Sequence, residues 1–344
     1  MRTLLFLIAL LSAPLAGHAQ AVVITHEARD RAYIKDFYKT HLIARVYESS
    51  RFNDIKISDG NERLVYKPNH HNDIGLGFTY KVISFNFEFF IPFLAQNANH
   101  YGATHSFDIQ TYVYYHRFVI DLYSQFYNGY YLANGSQALA PGGPAVLKRP
   151  DITSKDISLV FQYVFNDAHF SFNAPFMQNE IQEKSAGSFL LGGGIYHNDG
   201  HADSSFVPSL PKYESPLSAL RFTSFSYTGI GANGGYAYTH TIRKHFFITG
   251  SVSAGVGVGD AVVNTGTFQS RVGMQYMVNG KFAAGYTNDK YFIGLTYIRL
   301  VTEINSVAPH AWEQESTGNF RFTVARRFRV KKDIIPKTNI IKIE

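Results

Sequence analysis

The chain has 344 residues, a formal net charge of +6 and no cysteine, with 17% charged and 15% aromatic residues. Without cysteine, disulfides, thiolate metal centres and cysteine nucleophiles are excluded. Lys and Arg are dispersed and no aromatic-basic RNA motif occurs, so the basic balance points to an anionic lipid surface and not to nucleic acid.

Met1 and Arg2 form a short positive start, Leu4 to Leu15 is apolar, and Gly17-His18-Ala19 offers small residues at the cleavage-defining positions. Residues 1–19 therefore read as a cleaved secretory signal peptide, the apolar run falling short of the roughly 20 residues of a spanning helix. No later run reaches that length, so a membrane-inserted form must be a closed barrel. The 23 Tyr, 29 Phe and 28 Gly suit strands with rings toward lipid.

Residues 20–41 are mixed and polar, with Tyr33, Ile34, Phe37 and Tyr38 spaced like a short helix, and read as an N-terminal periplasmic segment. The barrel is expected over 42–328, beginning with a strand at Leu42 to Ile57. Past Asn69-His70-His71-Asn72-Asp73, a hairpin turns near Lys81: Ile74, Leu76, Phe78 and Tyr80 share one face, as do Ile83, Phe85, Phe87, Phe89 and Ile91, opposite Ser84, Asn86 and Glu88. Strands are expected at His105 to Tyr115, Phe118 to Tyr130, Asp156 to Phe165 and His169 to Met177. The short links His116-Arg117 and Asn166-Asp167 contrast with the long ones, Leu94 to Thr104 and Leu132 to Lys155, the latter containing Ala140-Pro141-Gly142-Gly143-Pro144. Short periplasmic turns alternating with long outer loops are the pattern of outer-membrane barrels.

Further strands are expected at Gly229 to His240, Phe246 to Val258, Arg271 to Tyr286, Tyr291 to Thr302 and Asn319 to Phe328, before a polar tail over 329–344. Val272 to Tyr286 carries the clearest signal. Val272, Met274, Tyr276, Val278, Phe282 and Tyr286 alternate with Gln275, Asn279 and Lys281 for more than seven cycles, long enough for a tilted crossing of a hydrocarbon layer, which takes roughly 9–11 residues. Parity then demands an odd number of crossings between His169 and His197, satisfied by one long strand through Gln182 to Gly187. The expectation is an all-β, antiparallel transmembrane barrel of about 12 strands, with 10 and 14 as neighbouring counts.

With the strands in place, several strings resemble a known family: Tyr66-Lys67-Pro68-Asn69, Gly75-Leu76-Gly77 to Tyr80-Lys81, Ile120-Asp121, Arg149-Pro150-Asp151-Ile152, Val164-Phe165-Asn166, and Phe170-Ser171 through Gln182 to Lys184-Ser185-Ala186-Gly187-Ser188. They are similar to the domain of unknown function 4421 family of Gram-negative outer-membrane proteins, over roughly Arg45 to Phe328. The resemblance implies an outer-membrane barrel without an assigned activity and supplies no catalytic residues; the expected partners come from the residues themselves, outer-membrane lipid from the apolar strand faces and the barrel-assembly machinery from the terminal aromatic Phe328 of the closing strand.

Chemistry must then come from inward charges. Glu88, Asp108 and Asp121 fall on the third to fifth strands, Arg271 and Lys281 on the tenth, Arg321 and Arg327 on the twelfth. In a twelve-stranded barrel an acidic wall thus faces a basic one. Either it forms a water-filled constriction with a transverse field, or the charges pair and close the lumen. The two His of Asn69-His70-His71-Asn72-Asp73 point to opposite faces if extended and are poor co-ligands, so no metal is expected. His105-Ser106 and the His169, Ser171 pair are weak hydrolase candidates lacking an orienting third group. Ser185 is not in a nucleophile elbow, and Gly192-Gly193-Gly194 lacks the Lys and helix start of a phosphate loop, so no cofactor is expected. The leading expectation is a channel for small polar solutes; a non-conducting structural or interaction barrel is the alternative, and a lipid hydrolase comes third.

Overall fold

The computed structural model describes residues 29–37, 40–59, 62–69, 71–80, 83–95, 98–134, 146–209, 221–305 and 312–330, with the side chains at 71, 83–85, 88–95 and 98 left aside. The expected signal peptide and nearly all of the polar tail lie outside these residues. In chain order the elements are β1 (Ile34–Asp36), β2 (His41–Ser58), β3 (Arg63–Pro68), β4 (His71–Tyr80), β5 (Ile83–Ala95), α1 (Ala98–Tyr101), β6 (His105–Tyr115), β7 (Phe118–Leu132), β8 (Leu147–Val164), α2 (Asn173–Phe176), β9 (Glu180–Gln182), β10 (Ala186–His201), β11 (Ser224–Ile242), β12 (Phe246–Asn264), β13 (Phe268–Thr287), β14 (Tyr291–Asn305) and β15 (Trp312–Arg329).

The alternation in β13 explains why these segments become barrel strands. Val272, Met274, Tyr276, Val278 and Phe282 lie exposed on the outer face, while Gln275, Met277, Asn279, Lys281 and Ala283 are buried inside. With period 2, one parity meets the lumen and the other meets the surroundings. Phe189, Leu191 and Ile195 on β10 and Phe320, Phe322 and Val324 on β15 continue the same exposed apolar belt.

A closed ring of ten antiparallel strands runs β2-β3-β7-β8-β10-β11-β12-β13-β14-β15 and back to β2. The closing ladder pairs His41 with Arg329 and Ser58 with Trp312. β3 joins the ring only near its loop end, through Ile55–Ser58 on one side and Tyr130–Leu132 on the other. Toward the turn end β4 pairs β2, β5 pairs β4 and β6 pairs β7. Among the described residues no ladder joins β5 to β6. The hydrogen-bonded ring therefore holds ten strands with three more attached, where twelve were expected in one continuous ring.

Two segments depart from the sequence reading. Tyr33, Ile34 and Phe37 do not form a helix: Tyr33 ends a turn over 31–33, Ile34 opens β1 and Phe37 follows it, because β1 finds a partner in β9 (Ile34 opposite Gln182); Tyr38 is outside the described residues. His169 to Met177 is not a strand. It turns, forms α2, and with β9 makes a plug, its apolar residues facing the barrel interior instead of lipid: Phe170, Phe172 and Phe176 are all buried. The parity demand is met by one crossing, β10.

Strands also run further than expected at the loop end. β12 reaches Asn264 and β13 starts at Phe268, joined by a tight turn in which Gly266 has φ +100°. At the turn end, His116 takes φ 51° between β6 and β7.

Candidate functional site in the barrel lumen

The lumen is built in three levels. At the loop end the ring encloses an apolar cluster of Ile55, Ile57, Leu64, Tyr66, Tyr130, Ile152, Phe206, Val207, Phe222 and Phe225. Residues 202–209 are drawn into it by polar ties: Tyr66 Oη donates to the Phe206 carbonyl, and Arg149 grips Asp151 through Nε and Nη2, both at 2.8 Å, while Nη1 donates to the Ser205 carbonyl at 3.0 Å. Two parallel bonds from a planar guanidinium fix orientation as well as energy.

The middle level is polar and cross-linked. Lys281 Nζ lies 2.7 Å from Asp121 Oδ1 across the lumen and 3.3 Å from Tyr114 Oη, and Asn279 Nδ2 donates to Asp121 Oδ2 at 3.2 Å. The ammonium also stands 4.9 Å from the Tyr114 ring centre and 5.5 Å from that of Phe172, so the plug touches the ion pair. Asp108 Oδ2 accepts from Tyr127 Oη at 2.5 Å, Gln125 Nε2 at 2.7 Å and Gln110 Nε2 at 3.3 Å. Asn319 Nδ2 donates to Gln110 Oε1 at 2.6 Å and to Tyr112 Oη at 3.0 Å. Buried polar groups joined in this way satisfy one another in place of water.

Within this level a chamber of about 340 Å³ is lined by Arg45, Arg51, Arg321, Asp108, Gln110, Tyr112, Asn319 and Thr323, with Phe176, Met177 and Gln178 of the plug below. Asn86 of β5 lines it too, and so do Ile109 and Thr111 from the opposite face of β6. The chamber therefore passes the edge of β6, where no described ladder closes the wall.

The third level is the plug. Arg327 Nε donates to the Gln178 carbonyl at 2.8 Å and Nη1 to that of Asn288 at 2.5 Å, tying plug and barrel turn together. Glu180 receives Arg29 Nη1 and Ser171 Oγ. Burial pushes the Glu180 carboxyl above the ordinary range, while the Arg29 guanidinium and the Ser171 hydroxyl pull it back down. Asp30 N donates to the Ala168 carbonyl at 2.9 Å and Glu183 N to that of Tyr33 at 2.7 Å, so residues 29–37 strap the plug in place.

The structure thus scatters the candidate charges. Asp121 and Lys281 form one pair, Asp108 and Arg321 share the chamber, and Arg327 serves the plug. Arg271 has inward parity but lies exposed at the loop end, outside any constriction. The Glu88 side chain falls outside the described set. The family-like strings sit at junctions. Pro68 ends β3 and Asn69 follows it, donating through Nδ2 to the Gly102 carbonyl at 2.7 Å. Arg149, Pro150 and Asp151 hold the loop-end cap. Lys184 stands over the Tyr33 ring at 5.1 Å. Ser185 Oγ accepts from Thr241 N at 2.9 Å, and Asn166 binds Gly187 O and Ser188 Oγ at 2.8 and 2.9 Å where Ala186 opens β10.

The weaker candidates resolve as follows. Ser171 Oγ is committed to Glu180, and His169 Nδ1 to Asn166 at 2.8 Å, so the two do not bond each other. His105 and Ser106 are exposed on β6. His70 lies outside the described residues. Sequence reasoning did not foresee the 3.4 Å approach of Ser185 Oγ to His240 Nδ1, nor the buried association of Asp156, Asn198 and Glu315. Inward parity on three strands was the available signal for the latter.

Among solved structures the chain is similar to the outer membrane protease OmpT from Escherichia coli, at 9% identity over 84% of this chain and 97% of that one, with a TM-score of 0.34. It is similar to the translocator domain of the autotransporter NalP from Neisseria meningitidis at 10% identity, over 83% and 88% of the two chains, with a TM-score of 0.29. For the outer-membrane expressed OmpT of Vibrio cholerae the values are 8%, 84%, 97% and 0.28. No curated protein matches the sequence. The family model described as domain of unknown function (DUF4421) matches residues 28–328, and the chain belongs to that family.

Proposed function

We propose that this chain is an outer-membrane β-barrel closed along its axis, acting as a structural or interaction barrel in the envelope and not as an open pore. The exposed apolar belt on alternate residues supports placement in a lipid layer. Outer-membrane lipid and the barrel-assembly machinery are its expected partners, after export by a cleaved signal peptide. The observation that carries the closed reading is the stack of three obstructions: the apolar cap at the loop end, the Lys281–Asp121 level, and the plug with Phe172 and Phe176 beneath it. Water-filled conduction needs a continuous wet path, and each of these levels interrupts it.

A channel for small polar solutes is the second reading, favoured by the chamber with Arg45, Arg51, Arg321 and Asp108. Planar-bilayer recording of the refolded mature protein separates the two. The closed reading expects no steady conductance from the native protein, from Asp108→Asn or from Lys281→Gln. Steady conductance whose ion selectivity moves with Asp108→Asn would overturn it in favour of the channel.

A further inference from the structure

The turn end of the barrel carries a basic face across the neighbouring strands β11 to β15. It starts at the hairpin between β11 and β12, where the His245 amide donates to the Ile242 carbonyl at 3.2 Å and Arg243 and Lys244 take φ 50° and 60°. A tight turn with both central residues left-handed is the one that Asn-Gly fills without strain. Here two long, exposed cations occupy it, and a backbone conformation kept at a cost points to a task for the side chains. The face continues toward β15. The Thr287 amide donates to the His245 carbonyl at 2.8 Å and the Arg327 amide to the Lys290 carbonyl at 2.8 Å, which sets the β13–β14 turn between the hairpin and β15. Lys290 is exposed. Arg326, opposite Tyr291 in the ladder, lies on the outer face with its guanidinium 5.5 Å from the Tyr291 ring centre and 4.9 Å from that of Phe328.

Charge and surface point to the same partner. Among the described residues none of Arg243, Lys244, Lys290 and Arg326 makes an ion pair, and Asp289, the acid of the β13–β14 turn, is taken by Lys35 at 2.7 Å. Asp30, Asp36 and Glu183 of the strap and plug are offset in number by Arg31, Lys184 and Arg329. Nearer the loop end, the outward positions of β12 and β14 hold Asp260 and Glu303 as well as Arg299, so the basic excess belongs to the turn end. Further along the strands from the four cations the same face is apolar: Phe246, Ile248, Tyr291, Ile293, Val324 and Phe328 are all exposed. Cations, then aromatic rings, then aliphatic groups is the order in which an anionic phospholipid would be met from phosphate to acyl chain.

We propose that this face binds anionic phospholipid of the leaflet at the turn end, with Arg243, Lys244, Lys290 and Arg326 taking the phosphodiesters and the apolar side chains beside them taking the acyl chains. The proposal rests on the outer-membrane reading, in which short turns mark the periplasmic side. Arg326 lays its stem along two rings and keeps its charged head at the interface, as snorkelling side chains do. The site does not depend on whether the lumen conducts.

The test inserts the refolded mature protein into vesicles of phosphatidylcholine with a minority of phosphatidylglycerol, extracts it with a mild nonionic detergent, and weighs the attached lipids by native mass spectrometry. The expected result is phosphatidylglycerol enriched over its share of the vesicle, the enrichment falling as salt is raised. One basic side chain at an anionic surface changes binding about fivefold. Arg243→Asn with Lys244→Gly supplies the favoured turn pair, so it keeps the fold, and should cut the enrichment by at least about fivefold. Lys290→Gln with Arg326→Gln should do the same, whereas Arg271→Gln at the loop end should leave it intact. Insertion is read separately, by the heat-dependent shift in a detergent gel. Protein that inserts but shows no enrichment, or keeps it in both double variants, overturns the site and leaves the barrel reading in place; protein that inserts into no vesicle overturns both. A loss in Arg271→Gln as large as in the double variants would overturn the assignment to this face. In parallel vesicles that carry lipid A, preferential retention of lipid A through the same residues would overturn the phospholipid assignment.

Discussion

Lys281→Met is the sharpest probe of the lumen. The native ammonium lies 2.7 Å from Asp121, with side-chain exposures of 2% and 0%. At an effective dielectric of about 20, Coulomb attraction at this distance is about 6 kcal/mol, set against a desolvation cost of several kcal/mol for each ion. Removing Lys281 alone leaves Asp121 buried with Asn279 Nδ2 at 3.2 Å as its polar neighbour. The expected loss is about 3–5 kcal/mol, the range for breaking one side of a buried pair. Cation–π contacts with Tyr114 and Phe172 add about 0.5–2 kcal/mol to what is lost. Lys281→Met with Asp121→Leu removes both charges and should recover most of that loss. Denaturant unfolding in detergent, followed by the single tryptophan, Trp312 on β15, gives all four corners of the cycle. If Lys281→Met costs under about 1 kcal/mol, or the double variant is no better than the single one, the pair is not the organising contact of this level.

Three more outcomes follow from the packing. Arg149→Lys loses the two parallel bonds to Asp151 and cannot reproduce the fork, so the cap segment 202–209 should become cleavable by protease added to intact cells while the barrel stays folded. Gly192→Ala places a Cβ onto the carbonyl oxygen of Phe161 in the neighbouring strand; backbone cannot step aside, and equilibrium unfolding should register a loss of about 1–3 kcal/mol. For Glu180, burial raises the folded pKa above its unfolded value of about 4.3. Its contribution to stability is therefore complete below that unfolded pKa and declines as pH rises through the folded one. Hydrogen exchange of the plug amides should accelerate over that window, and Glu180→Gln should flatten the dependence.

The barrel class was legible because a closed barrel wall imposes a strict inside–outside rule over a long span, as β13 shows. The strand ends were not. Beyond the apolar belt both faces of β15 become polar, so Trp312 to Gly318 carries no alternation to read. The plug misled for a related reason: Phe170 and Phe172 alternate with polar residues as a lipid-facing strand would, yet they turn inward to fill the lumen. Inward placement of Lys281 and Asp121 followed from parity, but their pairing depends on which strands end up opposite, which only closure of the ring decides. Asp156 and Glu315 were hidden likewise, 159 positions apart by number and on opposite walls. The strings that resemble the family proved to be fasteners: Arg149 and Asp151 at the cap, Ser185 to Ser188 where the plug meets β10.

The ladder between β2 and β15 has a consequence for how the molecule comes into being. It zips the first barrel strand to the last, His41 against Arg329, so the cylinder stays an open sheet until the end of the chain has been made. The strap at residues 29–37 is threaded onto a plug that the finished cylinder encloses. Strap and plug must therefore dock while the sheet is still curled around them, before the final seam closes. Such late, sequence-distant closure makes for slow folding and long-lived exposed edges.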